Sequence, residues 1–170
     1  MSEQKSAGAN CGDVSKTVMV AAGMEEAFAI LVERPGEWLP PGHSFFKEPE
    51  LIAIEPRVGG RYYERGADGT EVVHGTVVTF EPPHRLVMTW RMGADWRPTP
   101  DDEHASLTEF AFSADPDQSG ASRVVLTHSQ LHRHGPAAAA IHAALDGPSP
   151  GDTLARYAEV VARHAAGAGG

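Results

Sequence analysis

The chain has 170 residues, 41% of them apolar and 22% charged, and carries a formal net charge of −9. That length suits one domain with an ordinary core, and the acidic balance excludes nucleic acid and anionic lipid surfaces as partners, since both need a basic face. The one cysteine, Cys11, excludes an internal disulfide, and no Cys/His spacing builds a metal set, so neither a metal nor another cofactor is expected.

In chain order, residues 1–13 are small and polar and read as a disordered lead-in, with no apolar stretch of the signal-peptide kind. Val14 to Ala22 alternates and is β-branched, which predicts a first strand. Gly23 breaks it. Met24, Ala27, Phe28 and Leu31 then recur at helical spacing behind Glu25 and Glu26, predicting a helix over 24–33. Pro35, Gly36, Pro40, Pro41 and Gly42 impose a loop or single turns carrying Trp38, followed by Phe45 and Phe46.

A meander follows. Strands are predicted over 50–56, 61–65, 70–81, 85–91, 105–113 and 123–131. Gly59-Gly60 and Ala67-Asp68-Gly69 turn the chain, Pro82-Pro83 closes the longest strand, and Ala94–Asp102 is a polar, proline-bearing loop. Strict alternation puts Val72, His74, Thr76, Val78 and Phe80 on one face of the 70–81 strand. Pro136 to Leu145 is alanine-rich and helical, with Gly147 as its stop and Pro148 and Pro150 beyond. Asp152 caps a last helix whose stripe is Leu154, Tyr157, Ala158 and Val161. Residues 165–170 read as a second disordered tail. The order strand, helix, about six strands, helix predicts an α+β domain over 14–164, with a curved antiparallel sheet of six or seven strands around a long C-terminal helix and an apolar pocket between them.

Four motifs lie in order along this frame: Glu55-Pro56-Arg57-Val58-Gly59-Gly60-Arg61-Tyr62, Gly75-Thr76-Val77-Val78, Glu81 to Trp90 with its Pro-Pro-His-Arg-Leu run, and Leu126-Thr127-His128. They resemble the START-like (SRPBCC) superfamily, and within it the homologues of the heat-shock-protein-ninety ATPase activator. The resemblance spans about Val14 to His164. It implies the helix-grip fold and a cavity for a small hydrophobic or lipid-like molecule. It does not imply one activity, because members bind ligands, cyclise or dehydrate polyketides, or assist a chaperone. Many members carry a Gly-Trp pair before the last helix; here the pair is Gly151-Asp152.

The expected cavity lining is Trp38, Phe45, Phe46, Tyr62, His74, Val78, Met88, Trp90, Phe110, Phe112, Leu126, His128, Leu154 and Tyr157. His128 shares a face with Val124 and Leu126 and is either a satisfied buried histidine, a polar anchor or a proton donor. Glu64, Glu71 and Glu109 read as surface ladder positions, with Glu109 a candidate base only if it faces inward. His128, His132 and His134 do not have ligand spacing. No dinucleotide fingerprint, P-loop, zinc-protease helix or nucleophile elbow occurs, and no catalytic residue is assigned. The reading is therefore a cytoplasmic protein that binds a small hydrophobic molecule without catalysis. A polyketide cyclase or dehydratase and a chaperone-assisting module are the alternatives, and a homodimer stays open.

Overall fold

The structure, a computed structural model, describes residues 12–39, 44–91, 97, 99, 101–146 and 153–169. Its elements are β1 (Val14–Val20), α1 (Met24–Glu33), α2 (Pro35–Trp38), β2 (Leu51–Ile54), β3 (Arg61–Arg65), β4 (Glu71–Glu81), β5 (Arg85–Trp90), β6 (Ser106–Ala114) and β7 (Ser122–Ser129). A 3-10 segment (Leu131–Ala137), α3 (Ala138–Asp146) and α4 (Thr153–Gly169) follow. The strands form one antiparallel sheet in the order β1-β7-β6-β5-β4-β3-β2. Short turns join β2 through β5 and β6 to β7, residues 91–105 connect β5 to β6, and the α1–α2 pair carries the chain from β1 at one edge to β2 at the other. This is the α+β helix-grip architecture expected from the sequence.

Element ends follow local chemistry. Gly59 and Gly69 adopt φ of 86° and 88°, which close the turns before β3 and β4. Gln130 takes a left-handed φ of 60°, so the chain leaves the sheet there and Leu131 opens the 3-10 segment instead of prolonging β7. Gly135 (φ 65°, ψ −132°) is not helical and delays α3 to Ala138, against the expected start at Pro136. Helix α4 continues to Gly169, so the small residues expected to be a tail are helical that far; alanine costs no side-chain entropy there. Residues 1–11, the Pro40-Pro41-Gly42 turn, most of the 94–102 loop, the Gly147 stop, Pro148, Pro150 and the Gly151-Asp152 pair lie outside the described residues.

The core lies between the concave face of the sheet and the helices. Leu86, Phe110, Phe112, Val124 and Leu126 supply the sheet side; Leu154, Tyr157, Val160 and Val161 supply α4; Phe28 and Leu31 supply α1. Burying each large apolar side chain contributes roughly 1.5–3 kcal/mol. Two directed bonds fix the helices on this surface. The Tyr157 hydroxyl donates to Ala27 O at 2.5 Å, tying α4 to α1, and Trp38 Nε1 donates to Leu31 O at 3.0 Å, tying α2 to α1. Tyr157 is fully buried, and desolvation drives its phenol far above the ordinary range, so it stays a neutral donor. Leu154, Tyr157, Val160 and Val161 of α4 are thereby packed into the core beside the sheet.

Strand β4 departs from the expected alternation at two places. Pairing with β3 slips between Tyr62 and Tyr63, and pairing with β5 slips between Val77 and Thr79. His74 and Val78 are the extra residues. The first bulge puts Gly75 on the same inward side as its neighbour His74. The second puts Val77 (1% exposed) inside and leaves Val78 45% exposed, which corrects its assignment to the cavity lining. Gly75 is required at the first bulge, because a Cβ there would lie 1.8 Å from Thr89 O on β5.

Two glycine substitutions test this packing. Gly75→Ala should cost about 3 kcal/mol or prevent folding, since the clash is with backbone. Gly36→Ala meets only Ile52 Cβ at 4.0 Å, inside a helical turn, and should gain about 0.5–1 kcal/mol. Urea midpoints of the two variants against the parent read the contrast; equal midpoints for all three refute the close strand approach at Gly75.

Candidate functional site

Strands β3 to β7 bring a row of polar and aromatic side chains to one end of the sheet. Its centre is Glu64 on β3, which has no exposed surface. Glu64 shares the face of Tyr62, two residues before it, as strand periodicity requires. Its carboxylate accepts from Ser44 Oγ at 2.5 Å, the Phe45 amide at 2.9 Å and His74 Nε2 at 2.6 Å. Burial pushes the carboxyl up, and the bonds from His74, Ser44 and Phe45 outweigh it and hold the group below its ordinary value. The surface-ladder expectation for Glu64 is thus corrected. Its alternation with buried Tyr62 was the available signal.

The His74 ring lies against two aromatic faces. Tyr62 is stacked on it at 4.6 Å and 19°, and Phe45 sits at 5.0 Å and 32°. Tyr62 has no room to ionise: desolvation and the Glu64 charge drive its phenol far above the usual range. Further along the row, His128 Nδ1 is 3.3 Å from Thr108 Oγ1, and its ring packs 5.8 Å from Trp90. Trp90 also meets His134 edge-on at 5.5 Å, and His134 Nε2 bonds Ser106 Oγ at 2.7 Å. Desolvation, helped by Lys16 and His134, pushes His128 down to about 4, so at neutral pH it is an uncharged hydrogen-bonding group and not the proton donor once considered.

The expected lining residues therefore divide. Phe45, Tyr62 and His74 come together with Glu64, and Trp90 comes together with His128. Trp38, Met88, Phe110, Phe112, Leu126, Leu154 and Tyr157 are packed in the main core, which Tyr62 also joins; Phe46 is half-buried beside Gly66. Glu109 does not face inward: it pairs with Arg85 on the outer face of the sheet and is no base. Sequence reasoning missed Ser44, Ser106 and Thr108, and weighed His134 only as a metal ligand. Thr108 could be inferred from alternation with Phe110; Ser44 could not, since it lies outside any strand.

A second feature lies elsewhere. An open apolar groove of about 690 Å³ separates α1 from β2 and the β4–β5 turn, lined by Phe28, Val32, Leu51, Ile54, Phe80 and Pro83 among others, with Glu25 and Glu33 beside them. None of the expected lining residues contributes to it. At the floor of the groove Phe28 of α1 packs edge-on against Phe80 at 5.7 Å and Phe112 at 5.3 Å. Among the described residues no three His, Cys, Asp or Glu side chains converge as a metal site, and no helix is long and apolar enough to cross a membrane.

The depressed His128 has a signed consequence. Between pH 6.5 and about 4 the unfolded chain binds a proton there that the folded protein does not, so this group's contribution to stability falls as pH drops through that window, by up to about 3 kcal/mol. His128→Gln should remove this part of the acid sensitivity. Urea denaturation at pH 7 and pH 4.5 is expected to show a smaller stability difference in the variant than in the parent; an identical difference rejects the buried neutral imidazole.

Comparison with known proteins shows the family and the fold. The model of the Activator of Hsp90 ATPase homolog 1-like family matches residues 36–147. Among solved structures, an anthrahydroquino-gama-pyrone synthase, Txn09, complexed with SUM, is 51% identical over 89% of this chain and 98% of that one, with a TM-score of 0.62. The self-sacrificing resistance protein CalC from Micromonospora echinospora is 26% identical over 89% and 94%, also at 0.62. A protein from Nitrosomonas europaea, 17% identical over 88% and 93% with a TM-score of 0.58, shares the fold. Curated proteins give no match. Ligand-binding or cyclase-type roles are what this fold and these neighbours support. The chain belongs to the Activator of Hsp90 ATPase homolog 1-like family of the START-like superfamily.

Proposed function

We propose that this protein is a cyclase-type enzyme that closes an oxygen-containing ring on a flat, hydroxylated aromatic polyketide. The observation that carries the reading is the 51% identity with a γ-pyrone synthase, spread over nearly the whole of both chains. The site at the sheet end supports it. Closing a γ-pyrone joins a phenolic oxygen to a carbonyl carbon of the substrate's own side chain, and needs the substrate held flat with its reacting atoms in contact. Trp90, which is half-buried, offers an aromatic surface for such a ring system, while Phe45 and Tyr62 hold the His74 ring. His74, His128 and Thr108 offer neighbouring hydrogen-bonding groups. No metal or redox cofactor is needed for a reaction whose only by-product is water.

Non-catalytic binding is the second reading, and the groove beside α1 favours it: it is apolar and large enough for a drug-sized molecule. CalC, 26% identical, is described by its resistance role and not as a synthase. In both readings the partner is a small hydrophobic molecule.

The two separate in one assay. An anthrahydroquinone bearing a hydroxyl next to a 1,3-diketone side chain is incubated with the protein, and the dehydrated pyrone is followed by liquid chromatography and mass spectrometry. Cyclase action predicts pyrone formation at least about 10³ times faster than in buffer, a modest factor for an enzyme. Substrate recovered unchanged while native mass spectrometry shows it bound would leave the carrier reading and remove the cyclase.

A further inference from the structure

We propose that His74 is the general base of this site and that Glu64 is the residue that positions it; the assignment rests on the cyclase reading above. An ionised carboxylate taken out of water costs several kcal/mol unless its oxygens are satisfied. Here three donors from two segments of the chain meet one side chain with no exposed surface: Ser44 Oγ and the Phe45 amide before β2, and His74 Nε2 on β4. The arrangement has a chemical direction. A carboxylate only accepts, so Nε2 of His74 carries the proton that bonds Glu64, and Nδ1 is the ring nitrogen left to act on a substrate. A third group orienting a base through its far nitrogen is the same logic that orders an imidazole in hydrolytic triads.

The surroundings hold that nitrogen in place. Tyr62 and Phe45 cover the ring faces, so the imidazole cannot tip. At the bulge the next residue is Gly75, which adds no side chain to crowd the ring. His74 keeps 4% of its surface and Glu64 none, so of the pair only the imidazole retains any contact with solvent.

The step balances without an oxidant. Nδ1 takes the phenolic proton as the oxygen bonds to the far carbonyl carbon of the diketone. The carbonyl electron pair moves to its oxygen, which takes the proton back from Nδ1 to give a cyclic hemiketal. Loss of that hydroxyl with an adjacent hydrogen, as water, leaves the pyrone. Charge would pass only transiently through the imidazolium, where Glu64 stabilises it.

The test reads kcat, KM and pH dependence for His74→Asn and Glu64→Gln, with Arg85→Gln on the outer face as the control expected to match the parent. His74→Asn should lower kcat by about 10²–10⁴-fold, with KM changed less than about threefold, and should lose the ascending limb of the pH–rate profile. Glu64→Gln should lower kcat by about 10–100-fold and keep that limb, displaced. A folded His74→Asn variant within twofold of the parent kcat overturns the assignment. Should that variant not fold, long-range nitrogen–proton spectra of the unaltered protein decide: Nε2–H with bare Nδ1 supports the proposal, and Nδ1–H sinks it. An unaltered protein that makes no pyrone refutes the cyclase reading instead, and the same spectra still judge the Glu64–His74 pair.

Discussion

A strictly alternating strand cannot place His74, Val77 and Phe80 on one face, because their numbers do not share a parity, yet β4 turns all three toward the concave side of the sheet. It does so by inserting one extra residue against β3 and another against β5. The rest of the structure depends on these two slips. Together they turn Val77 inward, while His74 and Phe80 share the parity that puts the one beside Glu64 and the other against Phe28. Between them Val77 closes the core at 1% exposure, and Gly75 lets β5 approach to a distance no other residue would permit. Bulges of this kind bend a strand, and the bend lets one sheet face both a helix layer and a polar row.

That constraint explains where sequence reading succeeded. Helix α1 was legible because Met24, Ala27, Phe28 and Leu31 have helical spacing and Gly23 precedes them; its bounds agree with the structure. The turns around Gly59 and Gly69 were legible because only glycine adopts their φ readily. The fold class followed from short turns between strands and a final amphipathic helix. Val78 failed for a reason that its own strand cannot supply: whether a strand keeps its register is settled by its partners, and both slips are agreements between β4 and the strands paired on either side of it.

The site was legible in part. His74, Tyr62, Phe45, Trp90 and His128 were all named, because bulky or titratable residues on apolar faces attract notice. Glu64 was set aside because its neighbours, Tyr63 and Arg65, look like a surface ladder. Its own parity with Tyr62 pointed inward, and the structure follows parity over neighbourhood. Ser44 and the Phe45 amide, which make that burial tolerable, come from a loop with no periodicity to read. The pattern is general: alternation predicts which way a charge points, while the partners that let it stay there come from elsewhere in the chain.

Many of the large side chains expected around a hollow instead fill it. Trp38 meets Tyr62 at 6.2 Å and Phe110 at 6.1 Å, and Tyr157 spends its hydroxyl on α1. Close packing there makes the sheet's inner face a rigid support. The polar row stands at the edge of that support, with Trp38 and Tyr62 forming the junction between the two. Tyr62 belongs to both, packing on Trp38 with one part of its ring contacts and stacking on His74 with another. A base must be held within a fraction of an ångström to act. Seating its stacking partner in the core is how this chain gives a loop-and-bulge site the precision of a strand.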